Sequence, residues 1–280
     1  MTATPSRKAR LLALSAFAAL AAAGPALAAG PTGNASGYDL SVHVNLLLVT
    51  QLNIDAQAPV QITDAVATIA DTNQLNGIDV HDPLSLIKLQ TGLLKSDVAY
   101  AGGDFAAVAA QGSVTGLNLS AVSLIAAPVL AVTADVVASR SVLAGSCPPP
   151  PARPFGTSGL LDDFVFFNGF DAGGLMPVSD DGNGGGQGGL PGSGATLGNL
   201  GISLLGINVP VPLNPAPNTT VDIPLGIVGA TLVLNEQTIG GDGVHSLSMS
   251  SNGVHLTLNV ANLVTAEVII AHSEASLSCP

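Results

Sequence analysis

The glutamates are the first residues to consider for chemistry, because the chain has only Glu236, Glu267 and Glu274. A glycosidase needs two carboxylates at a suitable separation, and Glu236 with Asp242 or with Glu267 would supply such a pair. Glu236 is therefore the candidate catalytic residue. Its alternative role is structural, with the carboxylate accepting backbone amide hydrogens at a turn or strand edge.

No established catalytic motif accompanies these carboxylates. The sequence has no Gly-x-Ser-x-Gly elbow, no His-Glu-x-x-His helix and no free cysteine beside a plausible base. A hydrolase centred on Glu236 therefore ranks behind a non-catalytic function.

One pair of histidines and two acidic groups could hold a metal ion. His245 and His255 flank a predicted hairpin, but a metal site needs a third converging ligand, and solvated strand residues are the simpler interpretation. Carboxylates beside glycines suit Ca²⁺. The candidates are Asp180, Asp181 and Asn183, with Asp162 and Asp163 as a second acidic group. Neither group has EF-hand spacing, so the alternative is a solvated acidic loop, and no other cofactor is predicted.

Residues 1–28 have the organisation of a secretory signal peptide. A basic start, an apolar run over residues 11–23 and an Ala-x-Ala site at 26–28 follow one another. The apolar run is shorter than the roughly 20 residues that a membrane-spanning helix needs, and no later stretch qualifies. We therefore predict export without a transmembrane anchor in the mature chain, to the extracellular space, the cell surface or the periplasm.

The charge balance restricts the partners. The formal net charge is −12, from 7 basic and 19 acidic residues. Removal of the signal peptide would remove three of the basic residues and leave Lys88, Lys95, Arg140 and Arg153. A surface with this balance repels phosphate backbones, so nucleic-acid binding is excluded, and the predicted partner is extracellular or part of the cell envelope.

The cysteines end two similar segments. Residues 132–147 read VTADVVASRSVLAGSC, and residues 264–279 read VTAEVIIAHSEASLSC. The match predicts an internal repeat in which His272 aligns with Arg140. In an exported protein it also predicts a Cys147–Cys279 disulfide. The alternatives are two free thiols and two strands that resemble each other by composition alone.

Strands and turns dominate the predicted structure, because short alternating apolar and polar runs are separated by many of the 33 glycines and 19 prolines. We predict an all-β fold in which a β-rich half at 29–147 packs on a second at 196–280 as a sandwich. Residues 148–195, rich in Pro, Phe and Gly, would connect them. A short helix competes with a strand near 83–94, Asn252-Gly253 has the signature of a type I′ hairpin, and residues 29–37 are predicted to be a flexible lead.

Several segments together resemble a family of bacterial secreted proteins. They are ASGYDLSV at 35–42, PNTTVDIPLG at 217–226 before LVLNEQ, NGVHLTL at 252–258 and the final VIIAHSEASLSC. The chain resembles the choice-of-anchor P family, in which a shared extracellular region is joined to differing C-terminal anchors and no biochemical activity is established. The sequence ends at Pro280 without a sorting motif, which implies release or non-covalent retention. The resemblance transfers no catalytic residues.

The predicted function is therefore a secreted or cell-surface, non-catalytic structural or interaction protein of the choice-of-anchor P type. A carbohydrate-binding module is the first alternative. Such modules use exposed aromatic rings, and this chain offers only Tyr38 and Tyr100 and no tryptophan. A hydrolase that uses Glu236 is the second alternative.

Overall fold

Alternating apolar and polar residues form strands throughout the part of the chain that can be described. The computed structural model describes residues 30–46, 50–81, 87–122, 128–147, 175–177, 193–212, 214–221, 228–260 and 264–280. Within these ranges every regular element is a β-strand, so the all-β prediction is confirmed.

The strands differ greatly in length, and the longest carry both the core and the outer surfaces. In chain order they are β1 (Thr32–Leu46), β2 (Thr50–Ile54), β3 (Val60–Ala65), β4 (Ile69–His81), β5 (Ile87–Ala101), β6 (Ala106–Val122), β7 (Pro128–Gly145), β8 (Leu175–Pro177), β9 (Gly194–Gly198), β10 (Gly201–Leu204), β11 (Ile207–Val209), β12 (Thr219–Val221), β13 (Val228–Gly241), β14 (Ser246–Val260) and β15 (Val264–Ser278).

Two antiparallel sheets pack face to face, and each sheet takes strands from both halves of the chain. Sheet A has seven strands in the order β12-β13-β14-β15-β1-β2, with β3 also paired to β1. Sheet B has eight strands in the order β11-β10-β7-β6-β5-β4, with β8 and β9 also paired to β7. The N-terminal strands β1 to β3 therefore complete the sheet formed by β13 to β15, and β9 to β11 extend the sheet formed by β4 to β7.

In four neighbouring strands of sheet A, the alternation of buried and outward-facing residues shifts by one position, and it does so at the same level of the sheet. There, four neighbouring strands each bury two consecutive residues instead of alternating. Matching cross-strand pairs flank this level in all four strands. The consecutive buried pairs are Leu234-Asn235, Gly253-Val254, Ile270-Ala271 and Asp39-Leu40. We call this level the pleat reversal. Asn235 and Ala271 take left-handed backbone angles there, with φ of 51° and 58°.

A polar layer lies between the sheets near the pleat reversal. Ser139 Oγ and Ser141 Oγ lie 3.1 and 3.0 Å from Ser273 Oγ. Asp39 Oδ1 accepts hydrogen bonds from Ser96 Oγ at 2.7 Å and from the Ser113 amide at 2.9 Å. Two apolar clusters occupy the core, one containing Leu40, Val254 and Ile270 and the other Tyr100, Met249 and Leu277.

Two local sequence interpretations were wrong, and a third, which left helix and strand open, is now decided. Residues 87–94 belong to β5 and not to a helix, while 82–86 lie outside the described residues. Asn252-Gly253 lies inside β14 because Gly253 belongs to the pleat reversal, and the hairpin turn before β14 is instead at 242–245. The predicted flexible lead is ordered from Thr32, where it pairs with β15.

The predicted disulfide is present. Cys147 and Cys279 are bonded, with their Cα atoms 5.4 Å apart and a sequence separation of 132. The bond follows β7 in sheet B and β15 in sheet A, so it joins the two sheets covalently.

Candidate functional site

The pleat reversal places four polar or aromatic side chains in a row on the outer face of sheet A. Each of these side chains belongs to a residue next in sequence to a residue of the pleat reversal, and the four lie on four different strands. Cross-strand pairing joins Glu236 to Asn252, Asn252 to His272 and His272 to Tyr38. We call these four residues the polar row.

Glu236 is the acceptor at one end of the polar row. Its Oε2 atom accepts hydrogen bonds from Asn252 Nδ2 at 2.7 Å and from His255 Nδ1 at 2.9 Å. The side-chain oxygen of Asn252, Oδ1, in turn accepts a hydrogen bond from His272 Nδ1 at 2.7 Å. Because a carboxylate and an amide oxygen only accept, these contacts assign the Nδ1 proton to both histidines.

Tyr38 and His272 form the other end of the row. Their rings are stacked, with centroids 4.5 Å apart and planes 21° from parallel. Burial raises the pKa of Tyr38, and the negative charge of Glu267 adds to this effect. Burial also lowers the pKa of His272, although Glu274 and Glu236 act in the opposite direction. A neutral phenol next to a neutral imidazole is therefore favoured at neutral pH.

The predicted carboxylate pair is separated by a histidine. His255 donates to Glu236 on one side, and its Nε2 atom lies 3.7 Å from Glu267 Oε1 on the other. Nε2 is shielded from solvent and has no hydrogen-bond partner among the described residues. The arrangement orients an imidazole between two carboxylates, but no described hydroxyl or thiol lies within hydrogen-bond distance of Nε2 to serve as a nucleophile.

Asp242 has a structural position in the turn that joins β13 to β14. Its Oδ1 atom accepts the backbone amides of Val244, His245 and Ser246, at 2.9, 2.7 and 2.9 Å. These hydrogen bonds hold the pKa of Asp242 well below its ordinary range. His245 contacts the other oxygen of Asp242, so Asp242 acts as a turn residue.

The metal predictions have different outcomes. His245 precedes β14 and His255 lies far along the same strand, so the hairpin that was expected to bring them together does not exist. No three His, Cys, Asp or Glu side chains converge to hold a metal ion within the described ranges. The candidate Ca²⁺ ligands Asp180, Asp181 and Asn183, with Asp162 and Asp163, lie outside the described residues.

Sheet B carries a second polar row on its outer face. Asp97 pairs with Gln111, and Gln111 pairs with Arg140. A groove of about 420 Å³ lies over this row and over the small side chains of Ala99 and Ala109. Asp97 also binds Lys95, with Nζ and Oδ2 2.8 Å apart. Arg140 Nε is shielded and without a hydrogen-bond partner among the described residues.

The two faces differ in charge. The glutamates Glu236, Glu267 and Glu274 all lie on strands of sheet A. Over the residues that the structure describes, every lysine and arginine lies on sheet B, namely Lys88, Lys95 and Arg140. Sheet A therefore presents carboxylates, hydroxyls, amides and imidazoles without a lysine or arginine from the described residues.

Sequence reasoning identified Glu236 but not the residues that surround it. The Asn252-Gly253 dipeptide predicts a turn, and no local pattern connects Tyr38 or His272 to Glu236. The available signal was the repeat, which aligns His272 with Arg140. His272 is the third residue in the order Glu236, Asn252 and His272, and Arg140 is the third in the order Asp97, Gln111 and Arg140. The alignment therefore marks equivalent positions on the two sheets.

Searches against family models, curated proteins and solved structures found no match for this chain. The resemblance to the choice-of-anchor P family therefore stays a prediction. In the part of the chain that the structure describes, no helix is long and apolar enough to cross a membrane.

Proposed function

We propose that this protein is an exported, non-catalytic interaction protein of the choice-of-anchor P type. It contacts a cell-envelope or extracellular partner through the outer face of sheet A. The observation that carries the proposal is the chemistry of that face, which combines the polar row with a field of hydroxyl and amide side chains.

The hydroxyl field lies beside the polar row, on β14, β15 and β1. Cross-strand pairing aligns Ser248 with Ser276 and Ser276 with Asn34, and it aligns Ser246 with Ser278 and Ser278 with Thr32. Neutral donors and acceptors in register across three strands favour hydrogen bonding to an extended polar partner. The acidic residues near them disfavour an anionic one.

Export is supported by two kinds of observation. The first 28 residues have the charge and apolar pattern of a signal peptide. The disulfide is typical of oxidising compartments, and it joins the only two cysteines. We infer that the mature chain begins at Ala29 and reaches the cell surface, the periplasm or the medium.

Duplication of an ancestral unit would account for the two sheets. The meander β5-β6-β7 has the same topology as β13-β14-β15. The row of Asp97, Gln111 and Arg140 corresponds to the row of Glu236, Asn252 and His272.

Binding of the labelled protein to washed envelopes of the producing bacterium tests the proposal. We expect saturable binding that Ser248→Lys/Ser276→Lys reduces by about tenfold or more, because two charges enter the hydroxyl field. The matched control is Ala99→Lys/Ala109→Lys, a directly paired position on the outer face of sheet B, which should bind as wild type. Equal binding by all three proteins would contradict the proposal.

The same experiment separates binding from hydrolysis. Soluble fragments released from the envelopes would be measured with wild type and with Glu236→Gln. A binding protein releases none, and both proteins remain bound. Release that depends on Glu236 would replace the proposal by a hydrolase that uses this residue.

A further inference from the structure

A groove opens on the outer face of sheet A beside Tyr38. β3 pairs with β1 at Gly37 and Val60 and at Ser36 and Gln61. The β2–β3 connection stays bonded to β1, since the Asp39 amide donates to the carbonyl of Gln57. The depression beside these strands, which we call the Tyr38 groove, has a volume of about 460 Å³, within the range of small-molecule sites.

One part of the groove is aromatic and held in place. Tyr38 and His272 both line it. The ring of His272 is fixed by its hydrogen bond to Asn252 and stacks on Tyr38. Because neither ring must be ordered on binding, an apolar ring surface is available at a reduced entropic cost.

The other part of the groove is polar. Ser36, Gln61 and Glu274 line it, and Gly37 contributes backbone without a side chain. Together they offer a hydroxyl, an amide and a carboxylate. The amide and the hydroxyl can donate as well as accept, whereas the carboxylate accepts only. An aromatic surface next to such groups matches a ring that has one apolar face and several hydroxyls around its edge.

The charge of the residues around the groove restricts the charge of the ligand. Glu274 lies in the groove, and Glu236 is linked to His272 through Asn252. No lysine or arginine of the described residues stands on sheet A. A uronic acid, sulfate or phosphate group would meet acidic side chains without a basic partner.

We infer that the Tyr38 groove binds a neutral glycan, with a sugar ring against Tyr38 and its hydroxyls bonded to Gln61 and Glu274. The inference rests on the proposed function, because it names the chemical class that the outer face of sheet A recognises. It assigns the sugar-binding ring to Tyr38 and not to Tyr100, because Tyr100 is buried in the core and its hydroxyl donates to the carbonyl of Pro31.

Titration calorimetry with the full mature protein tests this inference. The probes are neutral oligosaccharides built from glucose, galactose, mannose or N-acetylglucosamine, together with polygalacturonic acid oligomers and choline. We expect at least one neutral oligosaccharide to bind. Tyr38→Ala should weaken that binding by about tenfold or more, a loss of about 1.4 kcal/mol. Tyr38→Phe keeps the ring and should retain most of the affinity, which guards against a variant that fails to fold.

Two further variants locate the site. Gln61→Ala should weaken binding, whereas Thr257→Ala, exposed on the same face but outside the groove, should not. The inference is overturned if no neutral oligosaccharide binds, if only the acidic oligomer or choline binds, or if Tyr38→Ala and Gln61→Ala leave the affinity unchanged. Envelope binding that persists in Tyr38→Ala would leave the proposed function standing without this inference. If the wild type bound neither envelopes nor any neutral oligosaccharide, both proposals would fail.

Discussion

Asp39 is the residue at which burial has the clearest energetic consequence. Its side chain is fully buried, and this burial raises its pKa from 3.8 to about 7. Hydrogen bonds from Ser96 and Ser113 oppose the shift, and the charge of Asp97 adds to it. The Oδ2 atom has no hydrogen-bond partner among the described residues. Hydrogen bonds therefore stabilise the negative charge at only one of the two carboxylate oxygens when Asp39 ionises.

This shift predicts a pH-dependent stability. The folded state holds the Asp39 proton more tightly than the unfolded state, so this residue costs stability as pH rises from about 4 to about 7 and adds no further cost above that. In Asp39→Asn the group no longer titrates. The unfolding free energy of the variant minus that of the wild type should therefore rise by up to about 4 kcal/mol between pH 4 and pH 8. Urea unfolding at each pH measures this difference.

The control for this prediction is Asp104→Asn, an exposed carboxylate in the β5–β6 turn, which removes the same charge without removing a buried group. Its stability difference from wild type should stay nearly constant over the same pH range. If Asp39→Asn and Asp104→Asn changed in parallel, Asp39 would not be the source of the pH dependence.

At the scale of the strands, glycines mark places where backbones approach each other. A Cβ atom on Gly112 of β6 would lie 2.6 Å from the Tyr38 carbonyl oxygen and 2.7 Å from that of His272. Both oxygens belong to the opposite sheet. Gly112 therefore sets the distance between the sheets directly beneath the polar row.

Gly112→Ala should destabilise the protein by about 1 to 3 kcal/mol, because the methyl group forces the sheets apart. Gly229→Ala is the matched control, since this strand glycine has only ordinary contacts, the nearest at 3.7 Å, and should be neutral or slightly stabilising. Chemical denaturation measures both. Equal effects would show that intrinsic strand preference and not sheet separation decides the outcome.

The sequence predicted the type of the elements better than their limits. Alternation identified the all-β class, because periodicity reports which side of a strand is buried. It failed at Asn252-Gly253, since the same dipeptide suits a hairpin turn and a pleat reversal. It also left 83–94 open, because a short apolar run there fits both periods. Pairing with β4 and β6 decides for a strand over 87–94, the described part of that run.

At the scale of the whole molecule, the disulfide and the exchange of strands between sheets unite the two ends of the chain. A bond that closes a loop of this length contributes up to about 4 to 5 kcal/mol in the chain-entropy account. Cys147→Ser/Cys279→Ser should lower the unfolding free energy by an amount approaching this value. Reduction of the wild type should have the same effect, and a reductant should not affect the double variant.

The candidate site could be predicted only in part at this scale. Glu236 was identifiable because glutamate is rare in the chain. The row that joins it to Asn252, His272 and Tyr38 depends on the order β13-β14-β15-β1, which brings the first strand beside the last. No local pattern encodes that neighbourhood, and it follows from completion of sheet A by the N-terminal strand.

Carboxyl footprinting of the envelope-bound protein tests the central claim most directly, that sheet A is the contact face. Water-soluble carbodiimide with an amine would label exposed carboxylates in the free and bound protein, read by peptide mass spectrometry. The account predicts protection of Glu267 and Glu274 on sheet A, with Asp71 and Asp79 on β4 of sheet B labelled as before. Protection of Asp71 and Asp79 with unchanged labelling of Glu274 would contradict it.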